Sequence, residues 1–372
     1  MKTNQPTVIS LFCGIGGLDL GFVEEGFNIV WANDFLPEAV QSYSLNFSHS
    51  PVLGNINEID LASMPNTADV IIGGPPCQSF SLVGVRNPDD PRGQLVFRFL
   101  QIVKEKKPRV FLMENVPGIS SSSINGKNLL EYLTEEFANC GYHVKKLALN
   151  ANDYMVPQLR KRVLLIGSLD NLINRPDPVA FARNCYDIDW HKYNIGARAA
   201  IGDLGSPSQR NERSSYSDFP PSSFASIMRR KGLETVSLHE MPRMSDTDLR
   251  YVQCIPPGGN YQDIPNEIAT GRVLNFKKTG GRTTTYGRLH PDNPSYTINT
   301  YFRRPNVGCN FHYEEARLIT PREAMRFQSI PDHFEIVKCS QDTRNSLIGN
   351  AVPPFLARAL AWEIKKSLVT ST

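Results

Sequence analysis

Cysteine is scarce in this 372-residue chain: seven residues, at positions 13, 77, 140, 185, 254, 309 and 339, odd in number, scattered and never spaced as CxxC. That pattern excludes a disulfide framework and offers no zinc-ligand spacing, so no metal site is expected and each thiol is judged by its neighbours. Long apolar runs are lacking too. The opening MKTNQPTVISLF carries one lysine and an apolar stretch too short for a secretory h-region, and nothing later approaches a membrane span. The expected location is therefore a reducing cytoplasm. Charge of one sign is also in short supply. The net +3 announces no polyanion partner, but its distribution is uneven: 15 Arg plus Lys face 10 Asp plus Glu between Arg198 and Arg304, leaving −2 for the remainder.

What is present reads as an ordinary globular protein, with 40% hydrophobic and 21% charged residues and no internal repeat. From Val8 to about Gly167, short β-rich runs alternate with helical stretches, the signature of a doubly wound, mostly parallel α/β sheet. Strands are predicted at Val8–Phe12, Asn28–Ala32, Asp69–Gly73, Val110–Glu114, His143–Leu149 and Val163–Gly167, and helices at Leu18–Glu25, Pro37–Asn46, Leu95–Lys106 and Leu129–Asn139. The VIIGG, VFLM and VLLIG cores are continuous apolar runs, as strands covered on both faces require. Beyond about Asp170 the rhythm breaks into segments rich in Pro, Gly, Ser and Arg. A helical pattern returns through PREAMRFQS, and Ile348–Ser367 reads as one final helix. The expected division is a domain over 1–185, a smaller loop-rich domain over 186–316, and a segment over 317–372 that rejoins the first.

SLFCGIGGLDLGF runs from strand through a glycine-rich turn into helix, which brings backbone N–H groups close to a ligand. The GxGxxG dinucleotide pattern fails where Asp19 stands, which disfavours a nicotinamide oxidoreductase and favours another adenosine-bearing cofactor. Asp34, past the second strand, is placed to accept from ribose hydroxyls; a helix cap within NDFLPEA is the lesser alternative and is compatible with that role.

GGPPCQSFS puts Cys77 at the carboxyl end of a predicted central strand, where open α/β sheets bind ligands. FLMENVPG puts Glu114 at the same edge. In QLRKR, the residues Gln158, Arg160 and Arg162 alternate at the start of a strand and are expected on one face. Ser79–Gly93, with its Gly, Asn, Asp and Pro, suits a loop that closes over a substrate.

Taken in order, these motifs resemble the cytosine-5 DNA methyltransferases over nearly the whole chain. The resemblance implies S-adenosylmethionine as cofactor, held by Phe12, Gly14, Ile15 and Gly17 of the turn together with Asp34, Phe35, Asn55, Ile56, Pro76 and Leu95, and by Asn350 and Val352 of GNAVPP. Asn55 departs from the aspartate usual at its position, although its amide oxygen can still accept a bond; His312-Tyr313 stands where His-Pro is common. The resemblance makes Cys77 the nucleophile, Glu114 the catalytic acid, and Arg160 and Arg162 their support. It further implies a cytosine flipped out of double-stranded DNA, contacts to that DNA from Ser81, Arg92 and Gln158, a monomer, and a cognate restriction endonuclease as functional partner. Sequence reading falls to the middle domain, where KKTGGRTTTYGR offers Arg282 and Arg288. A tRNA-modifying branch of the family is the nearest alternative, and QSFS together with the absence of a Cys-Phe-Thr tripeptide argues against it. A solitary methylase with no endonuclease would have the same sequence features. A silent DNA-binding module would not need Cys77, Glu114 and both arginines.

Overall fold

The computed structural model describes residues 5–76, 91–124, 126–209, 212–229 and 232–369, with 91–93 described by backbone alone. The main sheet contains β1 Thr7–Leu11, β2 Asn28–Asp34, β3 Val52–Leu53, β4 Val70–Gly73, β5 Val110–Asn115, β6 His143–Asn150 and β7 Lys161–Ser168. Across the sheet their order is β3-β2-β1-β4-β5-β7-β6. Neighbours are parallel except around β7, which runs antiparallel to both β5 and β6.

Local chemistry explains the elements that join these strands. Of α1 Gly17–Glu24, α2 Pro37–Ser44, α3 Pro91–Lys106 and α4 Leu129–Ala138, α2 starts with a proline in its first turn and α4 is capped by the Asn128 side chain, which accepts from the Leu130 and Glu131 N–H groups. On α4, Leu129, Leu130, Leu133 and Phe137 fall at helical spacing on the buried face, and Phe137 stacks on Phe111 of β5 with centroids 4.0 Å apart. Each such side chain contributes about 1.5–3 kcal/mol on burial. The order of strands reverses between β1 and β4. Leu11, Gly73 and Met113 lie in register there, so the carboxyl ends of β1, β4 and β5 share one edge, the crevice in which such sheets bind ligands.

The chain forms two compact units: Met1–Tyr154 with Lys161–Asp187 and Pro354–Thr372, and Met155–Arg160 with Ile188–Pro353. Residues 317–353, expected to rejoin the first domain, instead pack in the second unit. Their charges are the reason. Arg326, fully buried on the helix Pro321–Phe327, pairs with Asp203 and Asp332 at 2.7 Å each, and Arg322 donates to the carbonyls of Ser237, Pro331 and Phe334. Arg317 grips Glu323 at 2.7 Å, while Glu323 and Thr320 form a capping box. The single final helix expected over Ile348–Ser367 is two helices, Gln341–Asn350 and Pro354–Val369, because consecutive prolines at 353 and 354 bar helical backbone just before them and suit a new first turn. The second of these returns to α1, where a Cβ on Gly21 would lie 2.4 Å from the Arg358 nitrogen and Arg358 reaches Glu25 at 3.3 Å.

The remainder of the second unit is short elements, among them the helices Ser223–Met228, Asp246–Cys254 and Gly271–Thr279 and pairs of two- or three-residue strands; the last two helices contribute Tyr251 and Val273 to a cluster that includes Tyr261 and Phe311.

Candidate active site

In the first unit, β1 leads into a turn whose backbone is left-handed at Phe12, Gly14 and Gly16 before α1 begins at Gly17. Gly16 has no alternative: besides its φ of 90°, an added Cβ would sit 2.4 Å from the Phe47 ring. At Gly14 an added Cβ would meet nothing within 4 Å, so the turn leaves open space there. The Gly14 N–H donates to Asp34 Oδ2 at 2.9 Å, and Asp34 Oδ1 accepts from the Leu36 N–H at 3.0 Å. Leu36, not Asp34, is the residue that precedes α2 as its cap. Burial raises the Asp34 carboxyl above its ordinary range, offset in part by the N–H groups of Leu36, Gly14 and Phe35. Three backbone donors leave about one of the roughly four carboxylate lone-pair sites for a ligand's hydroxyl.

Around Asp34, Phe35 is 68% exposed and presents a free aromatic face. Ile15 and Ile56 are core residues with almost no exposed surface. The Ile56 carbonyl is taken by Arg98 Nε at 3.0 Å. Asn55 is exposed; its Nδ2 donates to Glu58 and its Oδ1 accepts from the Asn57 N–H at 3.2 Å, which leaves that oxygen one further lone pair. Phe12 and Leu95 are partly buried against the apolar core, and Pro76 is half-buried at the end of the segment after β4.

At the neighbouring end of β5, Glu114 is 8% exposed and forms an ion pair with Arg162 of β7, Nε to Oε1, at 2.5 Å. Gly74, after β4, makes room: a Cβ there would lie 3.1 Å from Glu114 Oε2. Asn115 Nδ2 donates to the Pro75 carbonyl at 2.8 Å, and its Oδ1 accepts from Val116, so one side chain ties the end of β5 to the segment two residues before Cys77. Sequence reading missed Asn115; the signal available was its position between Glu114 and a Val-Pro turn. It also missed Asp19, which accepts from Ser10 at 2.6 Å beneath the glycine turn and whose carboxyl is raised to about 6 by burial, against the Ser10 and Tyr43 hydroxyls. Cys77, Ser81 and the side chain of Arg92 lie outside the described residues, as does most of Ser79–Gly93.

The chain matches the model of the C-5 cytosine-specific DNA methylases over residues 6–366. The chain belongs to that family. It is 35% identical over 360 residues to the type II methyltransferase M.NgoFVII of Neisseria gonorrhoeae, covering 95% of this chain and 84% of that one. It is 33% identical to the type II methyltransferase M1.HphI of Haemophilus parahaemolyticus over 97% of this chain and 87% of the relative. Among solved structures, a DNA modification methyltransferase encoded in an E. coli prophage superposes with a TM-score of 0.68 at 23% identity, over 98% of this chain and all (100%) of that one, a likeness of fold. This methylase is thus a DNA cytosine-5 methyltransferase, which requires a methyl donor and a DNA substrate. No helix among its described residues is long and apolar enough to cross a membrane.

The remaining expected site residues of this methylase lie in the second unit, and three expectations change. Gln158, Arg160 and Arg162 do not line one face of one strand: the chain passes between units inside the motif, Gln158–Leu159 pairing with Ser295–Tyr296 and Arg162 belonging to β7. Gln158 is fully buried, donating to the Phe327 carbonyl at 3.0 Å and accepting from the Ile298 N–H at 2.8 Å, so it is a cross-link and not a DNA contact. Arg160, 1% exposed, donates to the carbonyls of Ile298, Gly349 and Ala351 at 3.0, 2.8 and 3.1 Å, and so clamps the turn on both sides of Asn350. Asn350 is exposed and Val352 buried within that turn. Arg288 gives four of its five N–H groups to carbonyls, those of Val252, Ile255, His312 and Glu314, which leaves too few for a bidentate pair with guanine. Arg282 is exposed and has no side-chain partner among the described residues.

Proposed function

We propose that this methylase transfers the methyl group of S-adenosylmethionine to C5 of a cytosine flipped out of a specific double-stranded DNA sequence, acting as a cytoplasmic monomer and as the protective partner of a type II restriction endonuclease. The observation that carries the reading is the buried Glu114–Arg162 pair beside the Pro75 anchor, at the same sheet edge as the glycine turn and Asp34. The type II relatives named above support the restriction role.

The residues present suit an adenosine-bearing donor: open space at Gly14, spare acceptor capacity on Asp34 and the exposed Phe35 ring. When bound, that donor supplies a methyl group on a positively charged sulfur. C5 of cytosine is a weak nucleophile, and Cys77 activates it by adding its thiolate to C6, forming an S–C bond and placing the electron pair on C5. Glu114 hydrogen-bonds N3 and the exocyclic amine as that charge develops, and Arg162 keeps its carboxylate in place. After C5 has gained the methyl group and lost its proton, the S–C6 bond breaks and the Cys77 thiolate is released. Asn115 holds the Pro75 carbonyl and thereby the start of the segment that carries the sulfur. Cys77→Ala is expected to abolish transfer of labelled methyl to duplex DNA while DNA binding survives; transfer at the normal rate would overturn the assignment. Mapping methylcytosine in DNA from cells that express the chain reads out the target sequence, and resistance of that DNA to the paired endonuclease tests the protective role.

A further inference from the structure

The second unit contains a cleft of 250 Å³ that the chemistry above does not use. Asn345, on the helix Gln341–Asn350, lines it. This side chain is 1% exposed, and neither its amide oxygen nor its amide nitrogen has a hydrogen-bond partner among the described residues. Buried amides without partners are rare in folded proteins and point to a missing ligand or solvent. The cleft is several times larger than the roughly 30 Å³ share of a single water and just below the roughly 300–1,000 Å³ of small-molecule pockets, so it accommodates a planar ring. Phe302, Leu318 and Ile319, all buried, supply apolar wall, and Met241 is 53% exposed. Arg243, also lining the cleft, is exposed and has no ion-pair partner among the described residues.

An unpaired amide offers a donor and an acceptor side by side, the complement of a nucleobase edge that presents an acceptor next to a donor. Apolar walls suit a base's faces, and a free guanidinium suits its phosphate. We propose that this cleft binds one unstacked nucleotide, its base edge on Asn345 and its phosphate at Arg243, and that the DNA substrate supplies it. The proposal rests on DNA being the substrate, and it concerns a nucleotide other than the methylated cytosine. A base still paired in the duplex cannot enter a cleft of this kind, so the nucleotide must leave the stack.

The test compares a short duplex carrying one unpaired adenine with the fully paired duplex, for the wild-type chain, Asn345→Leu, the near-isosteric Asn345→Asp and Arg243→Ala. The expected result is a roughly tenfold wild-type preference for the unpaired adenine, the order a two-bond base contact confers, lost in both Asn345 variants while affinity for the paired duplex is kept. Arg243→Ala is expected to weaken binding and lower the salt slope by about one. Should Asn345→Leu fail to fold, Asn345→Asp alone decides. A preference that persists in the Asn345 variants overturns the proposal, as does its absence from the wild type. If deoxyadenosine monophosphate binds the wild-type chain and not the Asn345 variants while the unpaired adenine confers nothing, the source is a free nucleotide and the DNA assignment fails. Methyl incorporation into the paired duplex, measured on the same preparations, reports separately on the methyltransferase chemistry.

Discussion

The two units bury arginine to different degrees. In the first, whose sheet has an apolar interior, Arg162 pairs with the carboxylate of Glu114, and Arg98, only partly buried, donates to the carbonyls of Ile56 and Ile59. In the second, Arg160, Arg322 and Arg326 are fully buried among carbonyls and carboxylates, and Arg317 and Arg288 make the same kind of contact. A long sheet with crossover helices fills its core with Ile, Val, Leu and Phe. A fold of short helices and two-residue strand pairs leaves many backbone carbonyls without a ladder, and a guanidinium with five donors satisfies several at once. A basic residue in the second unit is therefore not marked as a nucleic-acid contact by its type alone.

That contrast can be broken at several points. Glu114→Gln keeps size but removes the charge facing Arg162, and methyl transfer is expected to fall by about 10²–10⁴-fold, the range for loss of a positioned acid–base group; near-normal turnover in a labelled-methyl assay would place Glu114 outside the chemistry. Arg326→Met removes the cation that Asp203 and Asp332 share, leaving buried Asp332 with the Tyr216 hydroxyl and no ion pair and Asp203 with Arg229 alone, with an expected loss of about 3–5 kcal/mol in denaturant unfolding. Arg288→Ala and Arg282→Ala should separate cleanly. The first frees four carbonyls and lowers the melting temperature; the second leaves melting unchanged and reduces the salt slope of DNA binding by about one. Equal behaviour of the two would erase the distinction between cross-link and contact.

The smallest effect is a pH dependence in the first unit. Asp19 has a folded value of about 6 against an ordinary 3.8, so its ionisation opposes folding: its contribution is fully present below about pH 4 and is lost as pH rises through 6. Asp19→Asn should flatten the stability profile across that window, and an unchanged slope would mean that the carboxyl ionises freely in the folded chain.

Much of the first unit was legible. Strands β1, β4, β5 and β7 have apolar centres, and their observed ends, like those of β2 and β6, fall within one or two residues of the predicted ones, because a strand buried on both faces admits little else. The meeting of Glu114 and Arg162 was legible as two groups at one sheet edge, though not their 2.5 Å contact. Arg160, Gln158 and Arg288 were misjudged for a common reason. Their partners lie far along the chain, Gly349 for Arg160 and Phe327 for Gln158, and a residue's type cannot reveal whether a distant carbonyl will reach it before a phosphate does. The second unit's short elements carry too few residues for periodicity to register, which is why 317–353 looked like part of the first.

The backbone changes unit four times, after Tyr154, Arg160, Asp187 and Pro353. An engineer wishing to exchange the second unit for that of another methylase cannot excise it as one block, since the Gln158–Leu159 strand and the Arg160 clamp would stay behind in the donor half. Viable chimaeras are those that replace stretches internal to Ile188–Pro353 and retain the residues against which Gln158 and Arg160 are seated, and duplication or recombination in nature faces the same restriction.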